Sequence, residues 1–322
     1  TETPAMLKRS ADMGFSFGAN LYFLHSWAHN PFGDELQPGW SFAHYGTHFS
    51  RNLTWLKPGK AFFTYLTRCQ MLLQQGSFIS RNDSVLHRST PEEEIFFVRS
   101  QENQGMKTYE FPVTGRIPEL WDAYRGTISK MSRWIQENEK TKVALTLGKD
   151  ESVFVVFPRQ KTRYEKRPEI DILEETPVSV DGKWAVTFYP KTCEEPFEEE
   201  FTGLVDFSKQ KKEAVRYFSG TAVYEKMIDI KASDLRNNKR IVLDLGQLYD
   251  LAKLEINGKD VGVLWLPPFR TEIGPFLKAG RNVLKIAVTN TWVNRLIGDE
   301  QYPEDFEWTD KNQGLRAMTG LP

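Results

Sequence analysis

The chain has 322 residues, 40% of them hydrophobic and 26% charged, and its 42 basic side chains against 43 acidic ones leave a net charge of −1. That length is enough for two or three domains, each burying its own core, and the near-zero charge supplies no field to hold nucleic acid or an anionic membrane surface. The longest apolar runs, Ile241 to Leu245 and Val261 to Leu266, fall far short of the roughly 20 residues that a spanning helix needs, so no membrane span is predicted.

The N-terminal stretch Thr1 to Met6 has no basic segment followed by an apolar core, so no signal peptide is read in this chain. A short polar helix is expected around Met6 to Met13, followed by a strand over Ala19 to Leu24. From Ser26 to Trp55 the sequence is rich in Gly, Pro, His and aromatic residues without a sustained period, the composition of a long ordered loop, and such loops commonly carry function. Pro58 and Gly59 then open a helix. Its apolar residues Phe62, Tyr65, Leu66, Cys69, Leu72 and Leu73 recur at spacings of three and four, and Gly76 ends it.

From Val85 the pattern changes to strands: Glu94 to Arg99, Lys107 to Val113, Val143 to Leu147 and Ser152 to Phe157, which together read as a small antiparallel β-domain. The charged run Gln160 to Glu175 reads as a solvated connector, and Glu194 to Glu200 as a second acidic cluster. Beyond the connector, strands are expected at Lys183 to Tyr189, Gly220 to Ile230, Arg240 to Leu245, Ala252 to Ile256, Asp260 to Leu264 and Asn282 to Thr289. Regular short strands separated by turn residues indicate a sandwich. Asn257-Gly258 supplies the positive φ angles of a type I′ hairpin turn between two of them.

Four of the five histidines, His25, His29, His44 and His48, share the aromatic loop with Trp27, Phe32, Trp40, Phe42 and Tyr45. Three readings stand side by side. Aromatic rings stack on the apolar face of a pyranose while His, Asn and Asp bond its hydroxyls, which makes the loop a sugar-contact candidate. The same residues also suit simple loop packing. A metal reading would use the His-x-x-x-His spacings with Asp34 or Glu35, but that spacing converges only on a helix, and Pro31 and Gly33 oppose one there.

Glycosidases need two carboxylates flanking the scissile bond. Asp12, Asp34 and Glu35 are the nearest to the loop, and their spacing nominates no pair. Trp265 and Arg270 in one C-terminal segment, and Trp292 and Arg295 in another, read either as a saccharide patch or as sandwich caps, with the arginines paired to acidic neighbours such as Asp299. Asn52-Leu53-Thr54 and Asn82-Asp83-Ser84 match the N-glycosylation pattern.

The segments Gly18 to Asn20, Phe23 to Pro31, Pro38-Gly39 and Gly46 to Trp55 resemble the end of the catalytic barrel in glycoside hydrolase family 106, the α-L-rhamnosidases. Leu86 to Arg88, Gly115-Arg116, Pro118 to Asp122 and Ser152 to Phe157 are similar to that family's small β-domain. Phe218 to Tyr224, Leu243 to Gly246, Ile256 to Gly262 and Asn294 to Asp299 are similar to its C-terminal sandwich, itself like the sugar-binding domain of family 2 enzymes.

The resemblance implies a mixed, mainly β fold: the end of a (β/α) barrel at 1–80, a small antiparallel β-domain at 81–160 and a galactose-binding-like jelly-roll β-sandwich at 161–322, incomplete at its end. It further implies a carbohydrate partner, a rhamnose-containing glycan of plant or bacterial polysaccharides, and an extracytoplasmic location, periplasmic or secreted. The complete enzyme would perform inverting hydrolysis of terminal α-L-rhamnosides with a calcium ion nearby; in this chain no metal ligands are evident. The general acid and base would stand on barrel strands ahead of Thr1, so neither is assigned. His25, Trp27, His29 and Asn30 carry over as sugar contacts, with Trp40 and His48 added from the loop's composition. The alternative function is a non-catalytic carbohydrate-binding or scaffolding module, for which Trp265 and Trp292 would have to reach solvent.

Overall fold

The computed structural model describes residues 2–25, 27, 29–31, 33–34, 37–38, 46–102, 105–131, 133–159, 175–192, 194–235 and 239–301. They form two compact units, one comprising 1–5, 24–60 and 178–322, the other 6–23 and 61–177. The chain is mainly β, with a few helices.

In the second of these units, helix α1 (Pro4–Ser16) buries polar residues as well as apolar ones. Lys8, Asp12 and Ser16, at spacings of four, are buried with Ala11 and Phe15, while Met6 and Met13, with Phe17 just past its end, are exposed. The buried charges survive because each is bonded. Lys8 Nζ lies 2.5 Å from Asp12 and 3.0 Å from Ser152 Oγ, and it donates to the Asp150 carbonyl at 2.7 Å. The Tyr65 hydroxyl donates to Asp12 and sits 2.9 Å from Ser152 Oγ. Burial, reinforced by Asp12, holds that phenol well above its usual pKa, so it keeps the proton it donates.

Helix α2 (Lys60–Leu73) buries the six residues its periodicity singles out. The expected strand at Ala19 to Leu24 does not form. Those residues are irregular, with the Tyr22 N–H bonded to the Gln70 side chain and the Asn20 carbonyl to that of Gln74, so α2 side chains take hydrogen bonds that a neighbouring strand would otherwise supply.

Nine antiparallel strands follow: β1 (Ser77–Arg81), β2 (Val85–Ser89), β3 (Glu93–Arg99), β4 (Met106–Phe111), β5 (Glu119–Asp122), β6 (Thr127–Lys130), β7 (Trp134–Glu137), β8 (Lys140–Thr146) and β9 (Ser152–Pro158). They make a six-stranded sheet ordered β1-β2-β3-β9-β5-β6 and a three-stranded sheet ordered β4-β8-β7. Between the sheets pack Phe96, Val98, Val155 and Phe157 from the larger, and Tyr109, Phe111, Val143 and Leu145 from the smaller. On its other face β3 sets Phe97 against Phe15 of α1, with ring centroids 5.9 Å apart. Covered on both faces, β3 and β9 carry continuous apolar runs in place of an alternating pattern.

The first unit holds the sandwich. Its strands are β10 (Trp184–Pro190), β11 (Phe197–Phe201), β12 (Gly220–Ile230), β13 (Val242–Asp244), β14 (Leu251–Ile256), β15 (Lys259–Leu264), β16 (Arg270–Glu272) and β17 (Gly280–Thr289). Six form a sheet ordered β11-β10-β12-β17-β14-β15, and β13 pairs with β16. Val186, Phe188, Ala222, Tyr224, Leu254 and Ile286 of the large sheet meet Leu243, Leu245, Phe269 and Ile273 from the ribbon side. The β14–β15 turn has Asn257 at φ 53° and Gly258 at φ 77°, the left-handed pair expected for that hairpin. The acidic cluster Glu194 to Glu200 is a correction: most of it belongs to edge strand β11, which pairs with β10 from Phe197↔Phe188 to Phe201↔Trp184.

Candidate functional site

The pocket of interest is built where two stretches of the N-terminal loop run side by side. Trp27 and Phe49 form a parallel backbone bridge. Phe49 packs edge-to-face on Trp55 at 6.3 Å, and the fully buried Trp55 donates its indole N–H to the Glu2 carbonyl at 3.0 Å. The Thr47 hydroxyl bonds the Glu2 carboxylate, which fixes the same corner. An open cavity of about 180 Å³ results, lined by Trp27, His29, Asn30, Ser50 and Arg51. Its volume is below the roughly 300–1,000 Å³ of drug-sized sites and suits a single sugar ring.

Arg51 clamps the two stretches. Its Nε meets Asp34 Oδ1 at 3.1 Å, and its Nη1 donates to the Asn30 carbonyl at 3.0 Å. The Arg51 carbonyl in turn accepts from Lys191 Nζ at 3.1 Å. Asn52 bonds the Pro38 carbonyl through Nδ2 at 3.1 Å, and its own carbonyl accepts the indole N–H of Trp292 at 2.9 Å. A tryptophan that follows strand β17 is therefore bonded to the residue next to Arg51 of the pocket. The buried amide of Asn52 is a structural clasp, which occludes the first glycosylation match.

Of the expected contact residues, Trp27, His29 and Asn30 come together here, with Trp27 62% exposed beside the cavity. His25 is exposed and His48 half-buried, and neither lines it. Trp40 lies outside the described residues, as do His44 and Glu35. Ser50 and Arg51 belong to the pocket although the sequence pattern did not single them out; the signal was their place in the family-like segment Gly46 to Trp55.

Of the carboxylates nearest the loop, the two among the described residues are engaged with other side chains. Asp12 is committed to Lys8 and Tyr65 in the other unit, and exposed Asp34 is engaged with Arg51. Among the described residues no three His, Cys, Asp or Glu side chains converge. Calcium takes six to eight oxygen ligands, which no cluster of the described carboxylates supplies.

The C-terminal patches resolve as sandwich caps. Trp265 is 2% exposed and Trp292 3%. Arg295 is paired with Asp299 at 2.9 Å and Glu194 at 2.5 Å, and Arg270 with Asp244 at 3.3 Å. Stacking of a glycan on either indole is thereby overturned. Behind them, burial pushes the Asp250 carboxyl up to about 6, with a backbone hydrogen bond at Thr291 opposing the shift.

The chain is mainly β, and its similarities are to glycoside hydrolases. Its residues 1–83 match the alpha-L-rhamnosidase model of glycoside hydrolase family 106, which supports the assignment suggested by the loop and sandwich motifs. A rhamnosidase from Novosphingobium sp. PP1Y has a similar fold, with a TM-score of 0.82 at 22% identity over 97% of this chain. A putative beta-glucuronidase of Formosa agariphila is 41% identical over 131 residues, or 41% of this chain. The chain spans 44% of the former protein and, over the matched stretch, 11% of the latter.

Proposed function

We propose that this chain is the sugar-contacting and bracing portion of an α-L-rhamnosidase-type glycoside hydrolase, acting by inversion on terminal α-L-rhamnosides of a polysaccharide. The observation that carries the reading is the pocket, in which an exposed indole face stands beside an imidazole, an amide and a hydroxyl. A ring face offers an apolar platform to the C–H side of a pyranose, and His29, Asn30 and Ser50 offer directional partners for its hydroxyls. The family match over residues 1–83 supports the same substrate class. Hydrolysis by inversion requires a general acid and a general base roughly 6.5–9.5 Å apart. Among the described residues the pocket lining contains no carboxylate, so for this chain the proposal is binding and positioning of the sugar.

Isothermal calorimetry with L-rhamnose tests it. Heat that is lost in both Trp27→Ala and His29→Ala, with melting curves unchanged, is the expected result. No heat at millimolar sugar would overturn the reading for this chain, and turnover of an aryl α-L-rhamnoside would show that the catalytic carboxylates are present as well.

A further inference from the structure

In the large sheet of the sandwich, β12 runs between β10 and β17. Pro190, the end of β10, faces Gly220 at the start of β12, and Thr289, the end of β17, faces Thr221. The chain therefore leaves β10 and β17 at the same end of the sheet, on either side of β12. Lys191 emerges from the first exit and Trp292 soon after the second. Both exits are fixed by hydrogen bonds. The Lys191 N–H donates to the Ser219 carbonyl at 2.9 Å, while Asn290 accepts the Gly220 N–H at 2.9 Å and donates to the Phe218 carbonyl at 2.7 Å. Gly220 belongs to this junction because a Cβ there would stand 2.3 Å from the Tyr189 carbonyl oxygen and 2.8 Å from the Lys191 nitrogen.

From these exits the two side chains reach consecutive carbonyls of the N-terminal loop. Lys191 Nζ donates to that of Arg51 at 3.1 Å and the Trp292 indole to that of Asn52 at 2.9 Å. Each residue held in this way extends its own side chain to the earlier stretch: Arg51 Nη1 to the Asn30 carbonyl at 3.0 Å, and Asn52 Nδ2 to the Pro38 carbonyl at 3.1 Å. Two rungs thus run from one end of the sheet through residues 51 and 52 to residues 30 and 38. Arg51 and Asn30 both line the cavity. Holding a carbonyl holds the plane of its peptide and so the direction in which the adjacent side chain leaves. The rungs differ in kind, since Trp292 is a buried rigid ring and Lys191 a half-buried ammonium on a flexible stem.

We infer that Lys191 is a positioning residue for the sugar site. It lies outside the cavity lining, and by holding the Arg51 carbonyl it orients Arg51 and, through it, the Asn30 side of the cavity. This inference rests on the reading of the cavity as a sugar site, and half of its test needs no sugar.

Hydrogen exchange of the amides within residues 46–55 is followed in the full chain, in Lys191→Met and in Lys191→Arg, and L-rhamnose is then titrated into each by calorimetry. The Phe49, Asn52 and Leu53 amides are bonded inside the loop, so their exchange reports its opening. Lys191→Met should speed that exchange roughly threefold or more. It should weaken L-rhamnose by about tenfold, as the loss of one hydrogen bond does, with the melting midpoint within about 2 °C of the parent. Lys191→Arg keeps a donor and should restore both exchange and affinity. Unchanged exchange or unchanged affinity in Lys191→Met would overturn the positioning role and leave the sugar reading standing. A weakening that arginine does not restore, or a melting midpoint well below the stated range, would overturn it too. No heat from the parent would overturn the sugar reading and, with it, this inference.

Discussion

Trp27 and Trp292 belong to the same unit and meet the same loop, yet they are used in opposite ways. Trp292 is 3% exposed and its N–H is satisfied by the Asn52 carbonyl, while Trp27 is 62% exposed beside a cavity. Trp55 and Trp265 fall with Trp292, both almost fully buried. An indole placed for packing has its N–H and its faces occupied; one placed for a ligand leaves a face open in a concavity. The tryptophans Trp55, Trp265 and Trp292 are therefore architecture, and Trp27 alone of these four is exposed beside a cavity.

The comparison breaks most sharply at Trp292. Trp292→Ala removes a large buried ring and leaves the Asn52 carbonyl without its donor, so a loss of about 3–5 kcal/mol is expected in denaturant unfolding. Sugar affinity should fall with it. If stability fell but binding persisted, the anchoring of the pocket through Asn52 would be refuted.

A smaller effect sharpens the same side of the comparison. Asp250, whose carboxyl engages the Thr291 backbone next to Trp292, has a folded pKa of about 6, above the ordinary value of 3.8. The folded state therefore holds this proton more tightly than the unfolded chain does. Its contribution to stability is complete below about pH 4 and is lost as pH rises through about 6. Asp250→Asn should remove that slope and raise stability at pH 7.5 by about 1–3 kcal/mol. A variant whose pH profile matched the parent across that window would contradict it.

The smallest stability effect is expected at Trp27. Trp27→Ala should shift unfolding by no more than about 0.5 kcal/mol, as surface substitutions do. It should also remove the acrylamide-accessible fraction of the fluorescence contributed by this indole. A large destabilisation would place Trp27 in the packing class and dissolve the contrast.

Much of the fold was legible because its signals are local. Helix α2 follows from six apolar residues at helical spacing, and the β14–β15 hairpin from Asn257-Gly258. What escaped depends on tertiary partners. Strand β11 was hidden by its glutamates, which an edge strand tolerates because they reach solvent and pair across to Lys183 and Lys212. The run at Ala19 to Leu24 has strand chemistry, but α2 side chains bond its backbone. In α1 no pattern rule anticipates Lys8 and Asp12 facing inward, since Ser152, a partner of Lys8, lies 144 residues beyond it and Tyr65, a partner of Asp12, 53 residues beyond that aspartate.

The site was half legible for the same reason. Trp27, His29 and Asn30 stand out as an aromatic and polar cluster, whereas Arg51 matters through Asp34, the Asn30 carbonyl and Lys191, which only folding brings to it.

The bond from Trp292 to Asn52 also sets a timetable. The two residues are 240 positions apart, and a ribosome adding roughly 5–20 residues per second needs about 12–48 s to make the second after the first. Throughout that interval the nascent loop exists without its latch. The loop around Asn52 is thus completed only by a residue made 240 positions later.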